Sequence, residues 1–387
     1  MRGVLTNTDI AELTALRRQL HRHPELSGQE AQTAATITAA LRALSPTSIA
    51  SGLGGHGVAA IFDSGQAGPT VLFRAELDAL PIVEESGVAW TSRVPGTAHL
   101  CGHDGHMTML LALARLVKRR PFECGRIILM FQPAEEDGSG ARAVVADPRY
   151  DEMAPDWAFA IHNEPGLPFG YVGTRAGLIN CASRGLMIRM EGRASHAAEP
   201  ELAHSPVGLF GEIINDFESL DRGGPLDDGF RLATVTHVNA GEQSFGITPG
   251  NGEIWVTLRA SSDDGVDDME AAARRKISSL VQQNGLRVTF SRHDDFAASI
   301  NDAEAVGIAI KALDSLGIRH GSDGVPMRAS EDFGVFGWQA RSAMLCLGSG
   351  ADHPALHQPD YDFPDDLIPT GARIFEAIAR DLCRPDI

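Results

Sequence analysis

Residues 97–107 read T-A-H-L-C-G-H-D-G-H-M, and no other stretch limits the possible folds so strongly. Cys101, His103, Asp104 and His106 fall within six residues. A thiolate, imidazoles and a carboxylate are the usual ligands of a borderline divalent metal such as zinc. Gly102 and Gly105 allow a tight turn there, since glycine carries no Cβ penalty. Residues 107–117 are apolar with good helix formers, so the cluster is expected in a loop feeding a helix. A C-x-H pair is not a zinc-finger spacing, so further ligands must arrive from distant segments. A fold that can deliver them is an α/β sheet, which places its chemistry outside the carboxyl ends of the strands.

The rest of the chain fits such a sheet. Thr8 is a candidate cap for a first helix with Ile10, Leu13, Leu16 and Leu20 on one face, ending near His23-Pro24. A second helix is expected over about 27–44. Strands are expected at 57–63, 69–77, 126–131 and 157–161, with a short helix around 141–145. Alternating strands and helices predict a mostly parallel, doubly wound sheet. The pattern changes near Ser183. Strands at 186–190, 233–238, 254–258 and 286–290 alternate with helices at 207–220 and 263–281. The order β-α-β-β-α-β is the ferredoxin-like signature. We therefore expect a discontinuous main domain, residues 1–182 and 297–387, with an α+β domain inserted at 183–296. Helices at 303–313 and 370–382 complete the main domain.

The 387 residues are enough for two domains, and 43% hydrophobic residues allow a sizeable core. A net charge of −18 argues against nucleic acid or an anionic membrane as partner. No apolar run is long enough to span a bilayer, and residues 1–10 lack a signal-peptide core. Five scattered cysteines suit a reducing, cytoplasmic location.

Other strand ends carry chemistry-bearing residues. Phe131 is followed by Q-P-A-E-E-D-G, so Glu135 and Glu136 stand side by side after a buried strand. Adjacent carboxylates are costly unless a cation or proton separates them. One ligand and one general base is the natural division. His162 follows the strand at 157–161, Glu76-Leu77-Asp78 ends another, and His357 lies in D-H-P-A-L-H-Q-P. A lone histidine is more often structural than a ligand. Three separate strand ends each delivering a ligand type are harder to attribute to chance. His196, in G-R-A-S-H-A-A, falls on the inserted domain and can join a metal site only if that domain closes over it. No P-loop, dinucleotide fingerprint or G-x-S-x-G elbow is present, and Gly52-Leu53-Gly54-Gly55 reads as a turn.

With these residues assembled, the chain resembles the di-metal amidohydrolases related to aminoacylase and glutamate carboxypeptidase. It is most similar to the branch of hippurate hydrolase, auxin–amino acid conjugate hydrolases and N-acetyl-diaminopimelate deacetylase. The resemblance runs through L-H-R-H-P-E-L-S at 20–27, C-G-H-D-G-H at 101–106 and Q-P-A-E-E at 132–136. It continues through S-H-A-A-E-P at 195–200, S-E-D-F at 330–333 and L-H-Q-P at 356–359.

The resemblance implies two divalent ions, of zinc, manganese, cobalt or nickel, about 3.5 Å apart as in other paired sites. It implies Cys101 as the bridge, with His103, Glu136, His162 and His357 completing the ligands. Glu135 would be the general base, and Asp78 would orient a ligand histidine. His196 would stabilise the oxyanion in the site of a second subunit, making the inserted domain a lid and a dimerisation domain in a homodimer. The implied reaction is hydrolysis of an N-acyl or N-aroyl amino acid to a carboxylic acid and an amino acid. A dipeptidase or carboxypeptidase of the same fold, or a non-catalytic binding protein, are the alternatives. Two departures stand out. Glu76-Leu77-Asp78 replaces the usual D-x-D, and Gly246-Ile247-Thr248-Pro249 replaces an N-V-I-P segment whose asparagine contacts substrate.

Overall fold

A computed structural model describes residues 4–220 and 223–384. The first three residues of the 1–10 segment and the last three of the 297–387 range lie outside the described residues. In chain order the elements begin with α1 (Asn7–Arg22), α2 (Ala31–Arg42), β1 (Ser48–Leu53), β2 (Gly57–Asp63) and β3 (Thr70–Glu76). Next come α3 (His103–Arg119), β4 (Arg126–Gln132), α4 (Gly140–Val145), β5 (Trp157–Pro165), β6 (Val172–Gly173) and β7 (Gly177–Asn180). They continue with β8 (Ala182–Glu191), β9 (Ser195–His196), α5 (Val207–Leu220), β10 (Arg231–Ala240), β11 (Ile247–Thr248) and β12 (Asn251–Ala260). Last are α6 (Asp263–Gln283), β13 (Arg287–Phe296), β14 (Ser299–Asn301), α7 (Ala303–Leu316), β15 (His320–Gly321), β16 (Arg341–Gly350) and α8 (Leu367–Leu382).

The chain divides into two compact units. The larger holds Met1–Ile179, Ser299–Pro326 and Glu331–Ile387. The smaller holds Asn180–Ala298 with Met327–Ser330.

The larger unit is built on an eight-stranded sheet in the order β1-β2-β4-β3-β5-β16-β6-β15. Its centre, β4-β3-β5-β16, is parallel. The pairs β1–β2, β2–β4 and β16–β6 are antiparallel, so the sheet is mixed and mostly parallel. Strands buried on both faces read as unbroken apolar runs, and β4 (R-I-I-L-M-F-Q) does so. β3 is buried from end to end although it carries Arg74. That guanidinium is accommodated because Glu76, Glu331 and Asp332 surround it. Helix α8 buries Ile374, Phe375 and Ile378, each contributing about 1.5–3 kcal/mol of burial free energy.

Several local expectations are corrected. Thr6, not Thr8, caps α1. Its hydroxyl accepts from the Asp9 N–H while Asp9 accepts from the Thr6 N–H, which closes a capping box. The second helix starts only at Ala31 because Gly28 takes a positive φ of 75°. The helix after the cysteine begins at His103, so His103, Asp104 and His106 lie on its first turn rather than in a loop. Gly102, with φ 92°, makes the entry. β5 runs on to Pro165, which places His162 inside the strand. β1 and β16 are strands beyond those expected from the sequence. β1 mixes serines and a glycine into its pattern, and β16 ends in G-S-G. Both are strands because neighbours complete their backbone hydrogen bonds.

In the smaller unit the sheet order is β10-β12-β8-β13, all antiparallel, which is a split βαβ arrangement. Leu186, Ile188 and Met190 of β8 and Ile254, Val256 and Leu258 of β12 are buried. Ile213 and Phe217 of α5, with Met269 and Ile277 of α6, are buried in the same unit. β10 and β13 are its edge strands, and most of β10 is exposed or half-exposed. No helix among the described residues is long and apolar enough to cross a membrane.

Candidate metal centre

The parallel centre of the large sheet sends four carboxyl ends in one direction. β4 leads to Glu135 and Glu136, β3 to Asp78, β5 carries His162, and the loop after β16 carries His357. Cys101 and His103 arrive at the amino end of α3. Side chains far apart in sequence therefore meet on one edge of the sheet.

Two triads form there. Cys101, His103 and His162 place their ligand atoms within 4.8 Å of one another, and so do Cys101, Glu136 and His357. Cys101 belongs to both. Its Sγ is 3.4 Å from His162 Nε2. His103 Nε2 is 3.8 Å from carboxylate oxygens of both Glu135 and Glu136, and His357 Nε2 is 3.6 Å from Glu136.

The outer nitrogens of these rings are already engaged. His103 Nδ1 donates to the carbonyl oxygen of Asp78 at 2.9 Å, and His162 Nδ1 donates to that of Asn163 at 2.8 Å. Each ring is thereby turned so that Nε2 faces the cluster. His103 Nε2 and Glu136 Oε1 are buried with no hydrogen-bond partner among the described residues. Orphaned donors and acceptors at the centre of a cysteine–histidine–carboxylate set fit divalent cations.

The electrostatics agree with this. Burial, with the carboxylates of Glu331 and Glu136 close by, pushes the Glu135 carboxyl well above the usual range. Burial also lifts Glu136 to about 7, with Asp78 adding to the rise. The buried Cys101 thiol is raised by burial and by Glu136. Burial opposes charge on His103, yet Asp78, Glu76 and Glu136 carry it up to about 10. Burial and the neighbouring His106 hold His162 well below its ordinary value. Acids and a thiol this crowded repel one another, and a cation between them removes the cost.

His106 is not available as a ligand. Its Nδ1 lies 2.6 Å from Glu76 Oε2 and its Nε2 lies 2.6 Å from Asn163 Oδ1. The longer acid at position 76 thus spans from Arg74 to His106. Asp78 Oδ2 accepts from the Glu136 N–H at 2.9 Å and from Ser27 Oγ at 2.8 Å. Asp104 faces away into a buried network with Arg17 and His21.

The sequence reading missed Arg74, Glu331 and Asp332. The S-E-D-F segment at 330–333 carries no expected role in the sequence. Its acids form a buried group with Glu135, held by Arg74. An arginine inside an apolar strand was the available signal. His196 stands in β9 of the smaller unit, exposed, paired with Ile247 of β11. Its Nδ1 accepts the Ala198 N–H at 3.0 Å. Gly246 offers only backbone, and its carbonyl accepts the Ala197 N–H at 3.0 Å.

Comparison with known proteins places these features in a family context. The sequence profile of peptidase family M20/M25/M40 matches residues 72–381. The chain is 29% identical over 380 residues to the IAA-amino acid hydrolase ILR1-like 5 of Arabidopsis thaliana, covering 95% of this chain and 86% of that protein. It is 28% identical over 375 residues to the hippurate hydrolase of Campylobacter jejuni, covering 95% and 96%. Among solved structures it is similar to the Bacillus subtilis YXEP protein, a dinuclear metal binding peptidase from the M20 family. That match has a TM-score of 0.80 and 25% identity, and covers 98% of this chain and 99% of that one.

Proposed function

This chain belongs to peptidase family M20/M25/M40, hydrolases acting on amide bonds, and on that premise we propose that it cleaves N-acyl or N-aroyl amino acids. The products would be a carboxylic acid and an amino acid. The observation that carries the reading is Cys101 shared between two ligand triads, with the buried Glu135 beside them.

Cys101, His103 and His162 would hold one divalent ion, and Cys101, Glu136 and His357 the other. When bound, such ions acidify a water and polarise the scissile carbonyl. Glu135 takes the proton of the attacking water and returns it to the leaving amine. Glu135 is buried and lies within ligand distance of His103 and Glu136, so it stands directly beside the proposed metal ligands. Asp78 keeps His103 oriented through its backbone carbonyl. His196 supplies a donor to the oxyanion. With Nδ1 accepting from Ala198, Nε2 is the ring nitrogen left to donate. We further propose that the smaller unit is a lid and dimerisation domain, that His196 serves the site of a partner subunit, and that the protein works in a reducing cytoplasm. The exposed edge strand β10 supports the dimer, and five free cysteines support the compartment.

The test is release of free amino acid from a panel of N-acetyl, N-benzoyl and longer N-acyl amino acids, with zinc, manganese, cobalt or nickel added in turn. Unblocked dipeptides serve as the comparison. Hydrolysis of dipeptides alone would replace the reading with a dipeptidase. Binding without release from any member of the panel would make the chain a non-catalytic binder.

A further inference from the structure

Ala134 is a non-glycine residue with φ +49°, in the left-handed region that L-residues avoid. It sits in the turn directly before Glu135. Something must hold it there, because an alanine released from restraint leaves that region.

The restraint is visible on both sides of the turn. Outside, the Glu135 carbonyl accepts the Gly138 N–H at 2.8 Å and the Ala134 carbonyl accepts the Gly140 N–H at 2.9 Å. Gly140 has no room for a side chain, since a Cβ would lie 1.6 Å from the Pro133 carbonyl oxygen. Inside, two carboxylates grip the amides that flank Glu135. Asp78 Oδ2 takes the Glu136 N–H. Glu30 Oε1 takes the Ala134 N–H at 2.8 Å. Glu30 is fully buried and comes from the distant amino-terminal segment, where the same oxygen also accepts the Gly28 N–H at 2.8 Å.

We propose that Glu30 is a positioning residue for the hydrolysis: its carboxylate holds Ala134 in the left-handed conformation and thereby sets where the Glu135 carboxyl stands. The inference rests on the reading of Glu135 as general base. Glu30 makes no hydrogen bond to Cys101, His103, Glu136, His162 or His357, so its influence runs through the turn and not through the metals. The turn leads straight to the base, and a misplacement of about 1 Å can cost about a hundredfold in rate. Glu136, by contrast, has its own amide held by Asp78, so metal binding should survive.

The experiment compares Glu30→Ala, Glu30→Gln, Ala134→Gly, the Glu30→Ala/Ala134→Gly pair and Glu135→Gln. It uses the metal-loaded protein and the N-acyl amino acid that the wild type hydrolyses fastest. Glu30→Ala should keep metal content and keep KM within about threefold, while kcat falls about ten- to a hundredfold. Glu30→Gln still presents an acceptor oxygen to both amides and should stay within about threefold of wild type. Glycine adopts positive φ without strain, so Glu30→Ala should cost at least about fivefold less in the Ala134→Gly background. Hydrogen exchange of the metal-free protein supplies a reading independent of turnover. The peptide spanning Ala134 should lose protection in Glu30→Ala and keep it in Glu30→Gln. If Glu30→Ala does not accumulate as folded protein, Glu30→Asp, too short to reach both amides, is read in its place.

An unchanged kcat, equal losses in both backgrounds, or loss of metal in step with activity would overturn the inference. A dead Glu135→Gln beside a fully active Glu30→Ala would overturn it alone. Wild-type turnover in Glu135→Gln would remove the general-base reading itself.

Discussion

Cys101 Sγ stands 3.4 Å from His162 Nε2, although the two residues reach that point from a helix start and a strand 61 positions apart. The same sulfur belongs to the triad with Glu136 and His357. A sulfur shared by two ligand sets would, once deprotonated, be placed to serve a pair of cations. The expected stoichiometry is two divalent ions per chain, measured by elemental analysis of protein purified without chelator. Removing them should abolish hydrolysis, and active protein free of metal would end the proposal. Binding must also expel protons, because the Cys101 thiol is raised by burial and His103 lies at about 10 before a metal arrives. Metal affinity should therefore rise with pH between 6 and 8. Calorimetry in buffers of different ionisation enthalpy should find about one proton fewer released by Cys101→Ala, one thiol having been removed.

Glu135 and Glu136 are neighbours with different expected duties. Glu135→Gln preserves shape and removes the proton acceptor. Metal content should stay near wild type while kcat falls about a hundredfold or more, the low end of general-base catalysis. Glu136→Gln should instead lose metal, since Glu136 is the carboxylate facing His357. The opposite pattern would exchange their roles.

A pH dependence of folding should come from behind the site. His21 is fully buried between Asp104 at 2.9 Å and Glu84 at 3.1 Å. Burial opposes its charge, yet these acids raise it to about 9. A histidine raised in the folded state binds its proton more tightly there than in the unfolded chain. Its stabilisation is therefore complete below the unfolded value of about 6.5 and is lost as pH rises toward 9. Over that window the metal-loaded protein should lose up to about 1.4 kcal/mol per pH unit relative to His21→Asn. Urea melts of both proteins from pH 6 to 9 measure this. Parallel curves would mean that His21 is neutral in the fold.

His196 gives a test of the oligomer. His196→Ala should leave folding, metal content and association intact and reduce turnover by about a hundredfold, the scale for one oxyanion donor. Mixing it with Glu135→Gln distinguishes its address. If His196 acts on a partner subunit, exchanged dimers regain one complete site and activity exceeds both parents. An exchanged mixture that stays inactive would confine His196 to its own chain.

Much of the site was legible in the sequence because its chemistry is local in sequence. Cys101 and His103 lie two residues apart, Glu135 and Glu136 are adjacent, and each follows or precedes an apolar run whose period marks an element. The chain alone therefore determined the candidate ligands and the longer helices and strands around most of them, though not β1, β16 or the short strands. It could not determine what depends on neighbours. Arg74 is tolerated inside β3 only because Glu331 and Asp332 approach from more than 250 residues away. Likewise, β16 is a central strand because β5 supplies its hydrogen bonds, and periodicity carries no record of a partner. His106 and His103 are three residues apart on one helix, yet Glu76 and Asn163 occupy the first ring while the second is left facing the cluster. Composition and spacing treat those two histidines alike. The folded chain separates them, because a ring whose nitrogens are both satisfied cannot also hold a cation.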